Sequence, residues 1–201
     1  DTTLFHPARR NEALRQQWNA HPDTLVLLST GRLAPEKNLD LVVKTYLALR
    51  AANRSVRLVF AGDGPYREQL LIRCPDAVFL GMCDHEQLAT IYPSADLFLF
   101  PSLTETFGNV TLEALASGTP VLAFDSAAAS ELVQPEHNGW LVQGEREEDF
   151  VDKALEVTRD PALLMGMRAH TSASVATLDW QQIVMLVEGL FLQTQATASQ
   201  P

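Results

Sequence analysis

The sequence predicts a doubly wound α/β domain: a Rossmann-like parallel sheet of about six strands, helices on both faces, and C-terminal helices packed on one side. Three observations carry that reading. Short apolar runs recur along the chain. They are continuous rather than alternating, as in strands buried on both faces. Each is separated from the next by a segment whose apolar residues fall at helical spacing.

Thr24 to Ser29 is the first strand, an apolar run between polar ends. Asn38 to Ala52 follows as a helix, with Leu39, Val42, Val43, Tyr46 and Leu47 along one face and Asn38 placed to cap it. Val56 to Phe60 is the second strand. Gly64 to Arg73 is a short helix, with Pro65 suited to its first turn. Ala77 to Leu80 is a third strand, and Asp84 to Ile91 a helix capped by Asp84. Then come strand Asp96 to Phe100, helix Gly108 to Ala116, strand Pro120 to Phe124 and a last strand, Gly139 to Val142. Helical periodicity resumes at Glu145, over about 145–159, 161–176 and 180–193. Residues 1–20 read as a linker with a first helical segment, 21–192 as the domain proper, and 193–201 as a frayed polar tail.

Composition narrows the function. The 201 residues are 46% hydrophobic and 20% charged, as in ordinary globular proteins. Fifteen basic residues face 25 acidic ones, for a net charge of −10. Residues 1–100 hold 11 of each sign, whereas 101–201 hold 4 basic and 14 acidic, so the excess negative charge lies in the second half. No clustered basic face exists to meet a nucleic-acid backbone, and nucleic acid is excluded as a general partner. No apolar run approaches the ~20 residues that span a bilayer. Asp1, Thr2 and Thr3 carry neither a starting Met nor a signal pattern, and the chain is expected to be a piece of something longer. Cys74 and Cys83 read as reduced thiols of a cytoplasmic protein.

In open α/β sheets ligands bind beyond the carboxyl ends of the strands, so the loops after them hold the candidates. The first, Ser29 to Lys37, combines Gly31 with two cations, Arg32 and Lys37, ahead of a helix. A guanidinium fork, an ammonium and a helix N-terminus together suit a diphosphate. A solvated surface loop is the alternative, because the Gly-Lys-Ser/Thr ending of the phosphate loop is missing. The second loop holds Gly62, Asp63 and Gly64, a tight turn that leaves room for a ligand or serves as a turn only. The third holds Gly81 and Met82, where backbone can hydrogen-bond a planar base or the strand simply ends.

The fourth loop, Pro101 to Pro120, is the richest. It carries Glu105, then Phe107, Gly108, Asn109 and Val110 at a helix start whose free N–H groups suit an anion or sugar hydroxyls. Glu113 falls about a turn and a half into that helix among Leu112, Ala114, Leu115 and Ala116. A carboxylate in such company needs a partner. Two carboxylates spaced this way can meet a sugar and a neighbouring diol.

Together these residues resemble the retaining, nucleotide-sugar-dependent glycosyltransferases of the two-domain GT-B type, in family 4 (glycosyl transferases group 1), and in particular their C-terminal donor-binding domain. The likeness runs from Asp1 to about Phe191. It includes the interdomain segment Asp1 to Pro7, the loop Gly31, Arg32, Leu33 with Glu36 and Lys37, and the turns Gly62 to Pro65 and Phe79 to Gly81. The paired glutamates Glu105 and Glu113, the run Ser117 to Val121, and Asn138 to Val142 complete it. Thr106 stands where many members have glycine, and Ser126 to Ser130 replaces a loop that is often glycine-rich.

The resemblance implies transfer of a hexose from a nucleoside-diphosphate sugar, GDP-mannose or a UDP-sugar, to a lipid or saccharide acceptor. Arg32 and Lys37 would neutralise the diphosphate, and Glu105 with the amides of Phe107 to Val110 would hold the transferred sugar. Glu113 would hold the ribose and the backbone at Gly81 and Met82 the base. Arg32, Lys37 and Glu105 are thus the expected catalytic group, with no metal or other cofactor. The implied partners are the nucleotide-sugar and an absent N-terminal acceptor domain, through which a cytoplasmic protein would touch the inner face of the membrane. A nucleotide-sugar 2-epimerase of the same architecture and a non-catalytic nucleotide-binding module are the alternatives. The paired glutamates argue against the first and the intact set of four charged residues against the second. An oxidoreductase would need a Gly-x-Gly-x-x-Gly turn after the first strand, which Thr30 to Pro35 does not supply.

Overall fold

The computed structural model describes residues 3–52, 54–103 and 109–178. The expected helix at 180–193 lies outside them, as do Glu105, Phe107 and Gly108. Among the described residues the six strands are β1 (Leu25–Thr30), β2 (Val56–Ala61), β3 (Val78–Phe79), β4 (Leu97–Phe100), β5 (Val121–Phe124) and β6 (Gly139–Val142). They form one sheet in the order β3-β2-β1-β4-β5-β6, and every pairing is parallel. The chain winds outward from β1 in one direction and from β4 in the other. The β1–β4 junction is therefore the topological switch point, where a crevice opens at the carboxyl ends.

Alternate residues of each strand enter two separate cores. Leu27, Leu58, Phe60, Leu97, Leu99, Leu122 and Phe124 face one side. There they meet α2 (Leu39–Ala51), α3 (Arg67–Arg73), α7 (Glu147–Val157) and part of α8 (Pro161–Ala173). Val26, Leu28, Val59, Ala61, Phe98, Phe100, Val121 and Ala123 face the other. That side is covered by α4 (His85–Ser94), α5 (Asn109–Ala116), α6 (Ala127–Leu132) and Trp18, which follows α1 (Glu12–Gln17). Two covered faces are why the strands lack polar alternation. Each fully buried Leu or Phe contributes about 1.5–3 kcal/mol.

Several local expectations are corrected. Asn38 stands at the N-cap of α2 but does not cap it; with φ 53° its side chain turns away. Its Nδ2 donates instead to the Pro101 carbonyl at 3.3 Å, tying the loop after β1 to the loop after β4. Leu47 is exposed, while Leu41, Thr45 and Leu49 of the same helix are buried. Helix α3 begins at Arg67, past Pro65, because Gly64 to Tyr66 are occupied by a turn that closes on Leu33. Helix α4 continues through Pro93 to Ser94, and its Asp84 cap forms a full capping box with Gln87. Ser126 to Ser130 is no loop: three alanines carry it into α6.

At the amino ends of the strands, a buried ion-pair cluster closes the sheet. Arg15 is 2% exposed and donates from Nη1 to the Ser94 carbonyl and Asp96, and from Nη2 to the Thr24 carbonyl. Arg10 and Arg168 add donors to the Pro93 and Ala95 carbonyls. These guanidinium groups satisfy carbonyls that the end of α4 leaves open. They border a cavity of about 190 Å³ on the side away from the switch point.

Candidate functional site

The loop after β1 continues the sheet rather than leaving it. Gly31 N–H donates to the Ala61 carbonyl at 2.9 Å, and Leu33 N–H to the Asp63 carbonyl at 2.9 Å. Gly62 N–H in turn donates to the Gly81 carbonyl at 2.8 Å. Three loops from β1, β2 and β3 are thereby laced edge to edge. The lacing requires glycine at position 62: φ is +144°, and a Cβ there would lie 1.8 Å from the Gly31 carbonyl oxygen. Asp63 uses its carboxylate within its own turn, accepting from Gly64 N–H at 2.7 Å, and its backbone to hold Leu33.

The laced loops and the start of α5 enclose a cleft of about 450 Å³. Of the residues singled out by sequence, Gly31, Arg32, Gly62, Asp63, Met82 and Val110 line it. The Arg32 side chain is 67% exposed, and Glu36 stands 3.9 Å away, a separation that leaves the guanidinium available to an anion. Met82 is 79% exposed, an apolar side chain at the rim that a planar ring can cover. Lys37 ends the 3-10 turn Pro35–Lys37 and lies outside the cleft lining. Gly81 sits behind the wall, its carbonyl taken by Gly62. Asn109 opens α5, exposed.

Glu113 lies further along α5, partly buried, and the expected partner is present: Tyr92 on α4 donates its hydroxyl to Glu113 Oε2 at 3.1 Å. Burial pushes the Glu113 carboxyl above its ordinary pKa, against the opposing pull of the Tyr92 hydroxyl and the charge of His85. Thr30, Cys83 and Tyr92 also line the cleft and were not singled out by sequence. Tyr92 reads as one more core residue of an amphipathic helix, and only its hydroxyl distinguishes it. Burial raises the Cys83 thiol, as it does Cys74, which is pushed up to about 11.

Among the described residues no helix is long and apolar enough to cross a membrane. A family model, glycosyl transferases group 1, matches residues 10–173. A GDP-mannose-dependent alpha-mannosyltransferase of Mycobacterium tuberculosis is 40% identical over 162 residues, 80% of this chain and 41% of that protein. Sucrose-phosphate synthase from Thermosynechococcus elongatus superposes with a TM-score of 0.80 at 27% identity, over 98% of this chain and 51% of that one. A protein from Anabaena in complex with UDP and glucose has the same fold, with a TM-score of 0.77 at 22% identity over all of this chain and 55% of that one. The chain spans about two fifths of the length of the GDP-mannose-dependent alpha-mannosyltransferases it matches. With the model matching most of its length, the chain belongs to the glycosyl transferases group 1 family.

Proposed function

We propose that this chain is the nucleotide-sugar-binding half of a retaining hexosyltransferase, with the acceptor held by a separate N-terminal domain. One observation carries the reading: Arg32, Met82 and Val110 line one cleft at the sheet's switch point, with Glu113 held just behind it by Tyr92. A nucleoside diphosphate offers a matching order of groups. Its base lies over Met82 and the backbone near Gly81, its ribose at Glu113, and its phosphates at Gly31, Arg32 and Lys37. The transferred sugar then falls to Glu105 and the amides of Phe107 to Val110.

The chemistry follows from charge. Cleavage of the sugar–phosphate bond places negative charge on the departing diphosphate and positive charge on the ring. Cations already in position stabilise the former more in the transition state than in the ground state. In this reading Arg32 supplies one from the cleft lining and Lys37, at the end of the turn that follows, the other, and no resident metal enters it. GDP-mannose is the favoured donor, supported by the name of the mycobacterial relative; a UDP-sugar is the competitor, the Anabaena protein being in complex with UDP and glucose. In the cell we place the whole protein in the cytoplasm, at the inner face of the membrane.

Calorimetric titration of this chain with GDP, UDP and ADP tests the proposal. The expected result is saturable, weak binding with GDP tightest and no sugar transfer by the chain alone. Absence of binding by all three would remove the reading.

A further inference from the structure

Tyr92 is wholly buried, yet its hydroxyl meets two polar groups: Thr30 Oγ1 at 2.8 Å and Glu113 Oε2 at 3.1 Å. A carboxylate only accepts, so the phenolic proton goes to Glu113 and Thr30 donates to the phenol oxygen. The chain of bonds thus has one direction and joins two residues far apart in sequence, one in the cleft wall and one just behind it. Thr30 is the last residue of β1, directly before Gly31 and Arg32. Glu113 belongs to α5, which follows β4. These two strands are the ones from which the chain diverges, so their loops share no continuing ladder.

The ring of Tyr92 is held independently of its hydroxyl, edge-on to Phe5 at 5.9 Å and to Phe98 at 5.7 Å. A phenylalanine would pack there as well. The hydroxyl is surplus to packing and costly to bury unless it is used.

We propose that Tyr92 is a positioning residue: it ties Glu113 to the end of β1, fixing the carboxylate for the ribose in register with the phosphate-facing loop. The proposal rests on the reading of Glu113 as the ribose ligand. The groups that act on the charge of Glu113 include Tyr92 and His85 on α4 and the positive charge of the chain's amino terminus, and Thr30 reaches it through Tyr92.

The test is Tyr92→Phe in this chain, with the fold checked by thermal melting and two readouts. The first is titration of the Glu113 carboxyl by carbon-detected NMR without nucleotide. Loss of the donated hydrogen bond should raise its midpoint above that of wild type. The second is the preference for GDP over 2′-deoxy-GDP, which should fall about fivefold, the equivalent of one hydrogen bond. Thr30→Val, which leaves the phenol in place, should move both readouts the same way by less.

An unmoved Glu113 titration in a folded Tyr92→Phe protein overturns the proposal, because pure packing predicts that result. A moved titration beside a wild-type protein indifferent to the 2′-hydroxyl overturns the ribose assignment instead, and with it the purpose given to Tyr92.

Discussion

Replacing Asp96 by Asn probes the joint that holds β1 against β4. Its carboxylate accepts from Val26 N–H at 2.8 Å, Arg15 at 2.9 Å and Arg10 at 3.1 Å. An asparagine offers one oxygen and one NH₂ group, so at least one donor meets another donor. The NH₂ group would face Arg10, which is 24% exposed and can turn to water, whereas Arg15 at 2% exposure keeps a bond to the amide oxygen but loses its charged partner. Removing one partner of a buried pair costs about 3–5 kcal/mol. Glu12, 3.4 Å from Arg15 Nε, retains part of the balance, which places the expected loss near the lower end, about 3 kcal/mol. For a domain of this size that is a fall of roughly 6–12 °C in melting temperature. Arg168 is already pushed down to about 10 by burial and by the charge of Arg10, against the pull of Asp96, and would be driven lower still. Urea unfolding followed by tryptophan fluorescence, with buried Trp18 as reporter, gives the number directly. A loss below about 1 kcal/mol with an unchanged urea slope would show that Arg15 does not depend on Asp96. The helix carbonyls alone would then suffice for both guanidinium groups.

Further outcomes follow from the cleft. Gly62→Ala places a methyl group on the Gly31 carbonyl and strains the backbone, so it should cost about 2–5 kcal/mol by urea unfolding and weaken GDP binding as the Arg32 loop shifts. The Glu113 carboxyl holds its proton more tightly when folded than when unfolded, so wild-type stability should fall as pH rises from the ordinary carboxylate pKa through the raised folded value. Glu113→Gln removes that step; paired unfolding curves below and above the window should show the variant gaining on wild type, and the opposite trend would contradict the burial argument. Of the two thiols, Cys83 should react with a thiol reagent in the folded protein and be slowed by GDP, while Cys74, 2% exposed, should react only after unfolding.

The sheet was legible in the sequence because its strands are buried on both sides, which leaves uninterrupted apolar runs such as Leu97 to Phe100. Glycine turns were equally readable, since Gly31 and Gly62 adopt backbone angles few other residues tolerate. What those turns do to each other was not. The bonds from Gly31 to Ala61 and from Gly62 to Gly81 join residues about 20 to 30 positions apart, and no local pattern records them. Helix α6 is hard to read from sequence because Ser126 to Ser130 stands where relatives often have a glycine-rich loop, although alanine favours helix. Asn38 departs from expectation for a related reason: its residue type suits a cap, but a carbonyl on another loop competes for its side chain. Glu113 announced itself by an acidic residue in an apolar helix. Tyr92 did not, because a tyrosine among Ile91 and Ala89 looks like ordinary core.

The proposed function places the loop after β1 against the diphosphate of a nucleotide-sugar donor. Isothermal titration of GDP and of guanosine into wild type, Arg32→Ala and Lys37→Ala tests it most directly. Each substitution should weaken GDP binding roughly 10- to 150-fold, the equivalent of about 1.5–3 kcal/mol for hydrogen bonds to a charged group. Guanosine binding and melting temperature should stay close to wild type, since the Arg32 side chain is 67% exposed and carries little folding energy. GDP curves that superpose across the three proteins, or losses shared equally by guanosine, would contradict the claim and leave the loop as solvated surface.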